Sequence, residues 1–451
     1  MAARVVVVLL VSLVAAASAT TDAAACSCAP GDPRRMLAQA DAAFVGKLVE
    51  RPGGDFSSSA EPGVYVFELE QAVKGKLGRR IEVIAAVSGA SCGIEAQIGA
   101  RIGLFLTRRD GAWHSSLCRQ VDAEQLLAAA RPLPAPTGSG PVALLVGGSF
   151  GDARTIALDR NGRTLGYGRG KGETLLLDAC PGGARAVEVV RGPSGMSLAV
   201  RDLRTLRLTR EQPLRLRQNL YPSTVDCRTR NGDRILLFAG HEAGPLGVIL
   251  RFAEAGSTEL HRGRGVAAVF GERHAYLTTG RLANRLMTVD LERGGSRQLR
   301  AVPTGTGALA LSPDGTHLAA VAYSAPFPNA PPSRVLNIDL GTPRASLRST
   351  ALRASNISGR ISWLNNNRLA FLPGGGDQDA LRIYDRSLRL QARLAWPARL
   401  GVIRDNTAYG ITWGTQARVL RAELPAGPAR AQATLPSQTV HAFEAVTASK
   451  G

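Results

Sequence analysis

The chain has 451 residues, 45% of them hydrophobic and 20% charged, and this excludes a disordered polymer. With Gly 50 and Pro 25 it is no collagen-like or low-complexity fibre either. The formal charge of +19 is carried almost wholly by arginine, since lysine occurs only at Lys47, Lys74, Lys76, Lys171 and Lys450.

Arg4 precedes an apolar run from Val5 to Ala17, broken by Ser12. As a helix this run would rise about 20 Å, short of a bilayer core. A cationic start, a short apolar stretch and small residues after it read as a secretory signal over residues 1–25. Cleavage sites of small-x-small type follow at Ala17-Ser18-Ala19 and Ala23-Ala24-Ala25, and the second would leave Cys26 as the new N-terminus. No later segment is long and apolar enough to span a bilayer, so a secreted or envelope location is expected. The six cysteines, 26, 28, 92, 118, 180 and 227, then read as disulfides. Four of them precede residue 130, and these four allow three pairings.

Residues 26–130 carry period-2 apolar runs, as in Val64-Tyr65-Val66-Phe67-Glu68-Leu69-Glu70. Further strands are expected at 43–49, 80–87, 101–107 and 112–117. Five strands in so short a stretch predict a small closed barrel, which leaves no exposed edge. Cys26 and Cys28, two apart on an extended segment, point the same way and can staple that segment to two places on the barrel.

Cys26-Ser27-Cys28-Ala29-Pro30, Ala40-Asp41-Ala42-Ala43-Phe44-Val45-Gly46-Lys47, Val73-Lys74-Gly75, Ser91-Cys92-Gly93 and Cys118 together resemble the netrin-like, OB-fold module of the tissue inhibitors of metalloproteinases. The resemblance covers residues 26–125. It implies bridges Cys26–Cys92 and Cys28–Cys118. It also implies an inhibitory contact in which the free amine and carbonyl of Cys26 bind a protease zinc while Ser27 enters the adjoining pocket. The partner would then be a secreted zinc protease.

Residues 131–140, Arg-Pro-Leu-Pro-Ala-Pro-Thr-Gly-Ser-Gly, read as a linker. Charge divides there: residues 26–130 hold 12 basic and 12 acidic residues, whereas residues 131–451 hold 42 and 23. The basic part fits an anionic envelope polymer. Nucleic acid is not expected as a partner, because aromatic residues make up only 5% of the chain.

From 141 to 446 the chain is a series of short β runs broken by Asn161-Gly162, Asn231-Gly232 and Asp314-Gly315. Third strands recur as Met287-Thr288-Val289-Asp290-Leu291, Leu336-Asn337-Ile338-Asp339-Leu340 and Leu381-Arg382-Ile383-Tyr384-Asp385. Seven units of about 44 residues fit the length of a four-stranded propeller blade. The fold class is therefore all-β, a five-stranded OB-fold barrel followed by a seven-bladed β-propeller, with residues 447–451 as a tail. The run 439–446 is expected to supply the innermost strand of the first blade and close the ring. Cys180 and Cys227 end the innermost strands of consecutive units, so a bridge between blades is expected.

No catalytic motif is evident. The six histidines, 114, 241, 261, 274, 317 and 441, lie at no metal-ligand spacing and read as structural. Gly166-Tyr167-Gly168-Arg169-Gly170-Lys171-Gly172 lacks P-loop spacing and reads as a turn. No cofactor, metal or catalytic residue is assigned. The function expected from sequence is that of an exported two-domain binding protein, not an enzyme, whose propeller is a protein- or polymer-binding scaffold. The rival is an envelope-associated enzyme using the propeller channel.

Overall fold

The computed structural model describes Cys28 and residues 32–446 apart from 151, 217–219, 242–245, 255, 281, 324–331, 343–345, 353–358, 374–379, 399, 405, 413–416, 426 and 437–439. The signal segment, Cys26 and Ser27 lie outside the described residues. The chain divides into two compact units, 1–132 and 133–451.

In the first unit, β1 (Ala42–Glu50), β2 (Pro62–Lys74), β3 (Arg80–Ala86), β4 (Arg101–Arg109) and β5 (Ala112–His114) form a barrel in the order β1-β2-β3-β5-β4, closed by β1 against β4. β3 and β5 run parallel and the other pairs antiparallel. The alternation in β2 has the expected result, with Tyr65 and Phe67 fully buried and Val64 and Glu68 exposed. Phe44 meets Phe67 edge-on at 5.5 Å, and Leu48, Val83, Ile94, Leu104 and Leu106 fill the space around them. A sixth strand, β6 (Gln120–Asp122), adds to β4.

Two short helices were not anticipated. α1 (Pro33–Gln39) starts at Pro33, and the Asp32 side chain caps it by accepting from Arg34 N at 3.0 Å. α2 (Ala123–Ala130) buries Leu126 and Ala129. Gly103 of β4 lets it approach, because a Cβ there would stand 2.9 Å from Leu126 Cβ. The Cys28–Cys118 bridge forms as the resemblance implied. Cys92 is also disulfide-bonded, but the Cys26 end of the implied pair lies outside the described residues.

The second unit is a ring of seven four-stranded antiparallel sheets. Blades 2 to 7 span 173–213, 220–264, 267–301, 306–351, 359–395 and 400–434, each running in chain order from the innermost strand to the outermost. Blade 1 takes its three outer strands from 144–169 and its innermost strand, Val440–Ala445, from the far end of the chain. The second strands are apolar on both faces, as in His317–Ala322, where every residue is buried, because each blade is sandwiched between neighbours. Outermost strands such as Leu390–Ala395 alternate exposed and half-buried residues. Asn-Gly and Asp-Gly turns place Gly162, Gly232 and Gly315 at φ of +78, +67 and +70, where glycine carries no Cβ penalty. Cys180 and Cys227 bridge blades 2 and 3 with Cα atoms 4.9 Å apart. Disulfides belong to an oxidising compartment, extracellular or periplasmic. Among the described residues no helix is long and apolar enough to cross a membrane.

Candidate functional site: a polar cleft between blades 5 and 6

The cleft is built from the turn Ser312-Pro313-Asp314-Gly315. Asp314 Oδ1 accepts from Ser312 Oγ at 2.6 Å, Thr316 N at 3.0 Å and Thr316 Oγ1 at 2.9 Å. The Ser312 and Thr316 hydrogen bonds hold its carboxyl down to about 2. This turn delivers His317 to the start of the second strand of blade 5, where it is 4% exposed and meets the Trp363 ring edge-on.

Elementary donor rules fix the state of His317. Arg386 Nε donates to His317 Nε2 at 2.9 Å. A guanidinium N–H only donates, so Nε2 must be unprotonated. The ring proton then sits on Nδ1 and is donated to Thr316 Oγ1, 2.8 Å away. Burial, then the Arg386 charge, push the imidazole below its ordinary value. A neutral histidine thus aims the Arg386 guanidinium across the cleft.

The other walls come from the third and outermost strands of blade 5. Asn337 Nδ2 donates to Arg386 O at 2.7 Å, while Asn337 Oδ1 is buried with no hydrogen-bond partner among the described residues. Arg348 Nη1 donates to Ser387 Oγ at 3.0 Å. With Asp339 and Ser346 these side chains enclose about 340 Å³.

Arg386 stands where several blades place leucine. After the third-strand aspartate come Leu203 in blade 2, Leu291 in blade 4 and Leu340 in blade 5, whereas blades 1 and 6 have Arg160 and Arg386. Leu291 is 1% exposed and packs with Phe238, Leu260 and Val289, and Leu340 packs on Leu318 and Ile338. Blade 6 gives up that packing for a charge.

Between blades 1 and 2 arginine is buried, whereas Arg386 is exposed. Arg154, Glu188 and Arg201 are 1%, 0% and 0% exposed. Glu188 accepts from Arg201 Nε at 2.6 Å and from Thr155 Oγ1 at 2.6 Å, and its Oε2 lies 3.3 Å from Arg154 Nε. Arg154 also donates to both Glu211 oxygens at 3.2 Å, and Arg201 to Leu206 O at 2.6 Å. This corrects the reading of 166–172 as a turn: Thr164–Arg169 is the outermost strand of blade 1. Its glycines make room for the buried arginines, because a Cβ on Gly168 would stand 2.6 Å from Arg201 Cζ and one on Gly170 2.6 Å from Arg154 Nε.

Nearer the channel, burial alone would raise the Glu173 carboxyl, but His441 and Arg191 hold it down to about 2. At the other end of the innermost strands, burial outweighs Arg228 and lifts Asp226 to about 6. The remaining histidines are dispersed, and among the described residues no three His, Cys, Asp or Glu side chains form a group able to hold a metal. His317 was read as structural, and its placement beside Arg386, 69 residues on, was missed. The visible signal was an arginine where blades 2, 4 and 5 have leucine.

Neither a family model nor a curated protein sequence matches the chain. The resemblance to the metalloproteinase inhibitors therefore has no family support, and its contact residues Cys26 and Ser27 lie outside the described residues. Among solved structures, the periplasmic gluconolactonase of Pseudomonas aeruginosa is 14% identical, with a TM-score of 0.48 over 68% of this chain and 99% of that one. A Bacteroides uniformis protein provisionally assigned as a 6-phosphogluconolactonase is 13% identical, with a TM-score of 0.49 over 68% and 99%. Hydrazine synthase of Kuenenia stuttgartiensis is 15% identical, with a TM-score of 0.43 over 55% and 76%. At these identities the likeness is one of fold. It nevertheless corrects the expectation that the chain is not an enzyme. Two of these structures bear lactonase names, a property of those proteins, and the lack of a recognisable nucleophile or metal motif in this chain was no ground for excluding catalysis.

Proposed function

We propose that the propeller takes a small hydroxylated organic acid into the cleft between blades 5 and 6. The observation that carries this reading is Arg386, held by neutral His317 at a position where blades 2, 4 and 5 have leucine. Arg348 adds a second guanidinium and Asp339 one carboxylate, so the cleft keeps a net positive charge with His317 neutral. The guanidiniums suit a carboxylate. Asp339 and Asn337 Oδ1 are acceptors for ligand hydroxyl groups. The same groups suit turnover of an ester or lactone of such an acid, with Asp339 taking a proton from water and the guanidiniums facing the developing oxyanion.

The test is titration calorimetry of the intact protein with gluconate and glucuronate, alongside a lactone-hydrolysis assay. Wild type should bind at least one of these acids, and Arg386→Leu should weaken that binding by at least about tenfold, equivalent to about 1.4 kcal/mol. Equal affinity of the two proteins would overturn the assignment of the cleft.

A further inference from the structure

The cleft between blades 4 and 5 repeats the same construction. His274 and His317 open the second strands and pair with Asp290 and Asp339. Thr288 and Asn337 occupy the same third-strand position, and they pair with Arg297 and Arg348 on the outermost strands. Thr288 Oγ1 and Asn337 Oδ1 are both buried without a hydrogen-bond partner among the described residues, in side chains 6% and 4% exposed. Leaving one buried polar atom unmet costs about 1–3 kcal/mol. Here the omission recurs at one register position in adjoining blades, on the floor of a cleft each time.

The two clefts differ in what they offer. The one between blades 4 and 5 encloses about 510 Å³ and has a single guanidinium, Arg297, with the Tyr276 ring, Leu299 and Leu340 beside Gln298. An apolar face next to amide and hydroxyl groups suits a neutral sugar ring. The cleft between blades 5 and 6 has two guanidiniums. The clefts lie on opposite faces of blade 5, which sets them about 10 Å apart by the packing distance of sheets.

Resting on the reading of the blade 5/6 cleft given above, we infer that the two clefts are successive subsites for one acidic oligosaccharide. Its acid-bearing sugar occupies the cleft between blades 5 and 6, and a neighbouring sugar lies on Tyr276. The edge of the ring favours such a chain. The outermost strands of blades 4 to 7 (Ser296–Ala301, Leu347–Ala351, Leu390–Ala395 and Arg430–Thr434) contain five arginines and no acidic residue. That edge attracts a polyanion. Asp339 and the sugar-like blade 4/5 cleft select a hydroxylated one over a phosphodiester.

The experiment compares glucuronate with an oligogalacturonate of about six units on the intact protein, in titrations at fixed salt. The oligomer should bind at least about tenfold more tightly than the monomer, because the second contact is intramolecular. Arg297→Ala, an exposed position, and Tyr276→Ala should each remove most of that gain and leave monomer affinity unchanged, whereas Arg386→Leu should weaken both ligands. If glucuronate and gluconate both fail to bind wild type, the blade 5/6 reading itself falls. If an acid binds but the oligomer gains nothing, or gains equally in the Arg297 and Tyr276 variants, only the paired subsites fall. Equal binding of polyphosphate, insensitive to Tyr276→Ala, would reduce the site to charge alone and overturn the saccharide assignment.

Discussion

The seams between blades 1 and 2 and between blades 5 and 6 both carry arginine, and they treat it in opposite ways. Arg154 and Arg201 meet Glu188, Glu211 and backbone carbonyls, so their charge is matched and enclosed. Arg386 is oriented by a neutral ring, with Asp339 as the carboxylate in its cleft, and it faces open volume. The first pair is buried, whereas Arg386 is exposed in its cleft. A guanidinium enclosed with its matching carboxylates is structural, and one aimed into open volume is placed to meet a ligand.

The sharpest way to break this contrast is at Glu188. Glu188→Ala leaves two buried guanidiniums without their shared carboxylate and should lower unfolding free energy by about 3–5 kcal/mol in urea denaturation. A loss below 1 kcal/mol would mean that the seam is not held by this charge pairing. Gly168→Ala should cost about 1–3 kcal/mol by forcing Arg201 aside. An unchanged midpoint would show that the glycine spacing does not serve the buried arginine.

Arg386→Leu sharpens the other side. It installs the residue type of blades 2, 4 and 5 at an exposed position, so stability should change by less than about 1 kcal/mol even though a charge is removed. A loss as large as that from Glu188→Ala would make Arg386 a structural residue.

The smallest effect concerns acid. The folded-state value of His317 is depressed by burial and by Arg386, while Asp339 and Asp314 pull it upward and Arg348 adds to the depression. A depressed histidine contributes stability that is complete above its ordinary value of 6.5 and is lost as pH falls below it. Protonation also turns Nε2 into a donor facing the Arg386 donor. Thermal melts from pH 7.5 to 5 should fall less steeply for Arg386→Leu than for wild type. Parallel slopes would contradict the hydrogen-bond assignment.

Much of the architecture could be read in the sequence, because a repeat states the same information several times. The Asn-Gly and Asp-Gly turns and the recurring third strand showed a repeat, its length divided into seven units, and the apolar run near 440–445 found its place beside the strand Leu144–Phe150. The two short helices were missed because seven or eight residues carry little periodicity, although Asp32-Pro33 is a capping signal. The cleft was missed for a different reason. Repeat matching rewards positions that agree, while Arg386 departs from the leucine of the two preceding blades and matters through His317. Their meeting depends on how two blades stack, which no local pattern records.

The origin of blade 1 has a temporal consequence. Three of its strands are made early, and the fourth, Val440–Ala445, comes after every other strand in the chain. Until then, the strand Leu144–Phe150 has one edge unpaired, the kind of edge that recruits other chains. Pairing across such a sequence separation is slow, because loop closure must be completed before the contact rewards it. Blades 2 and 3 can already be tied through Cys180–Cys227 by then, so the growing ring has a covalently fixed corner beside its open gap. Assembly of the propeller thus has a vulnerable interval between the first blade and the last strand, ended only when the chain returns to where the ring began.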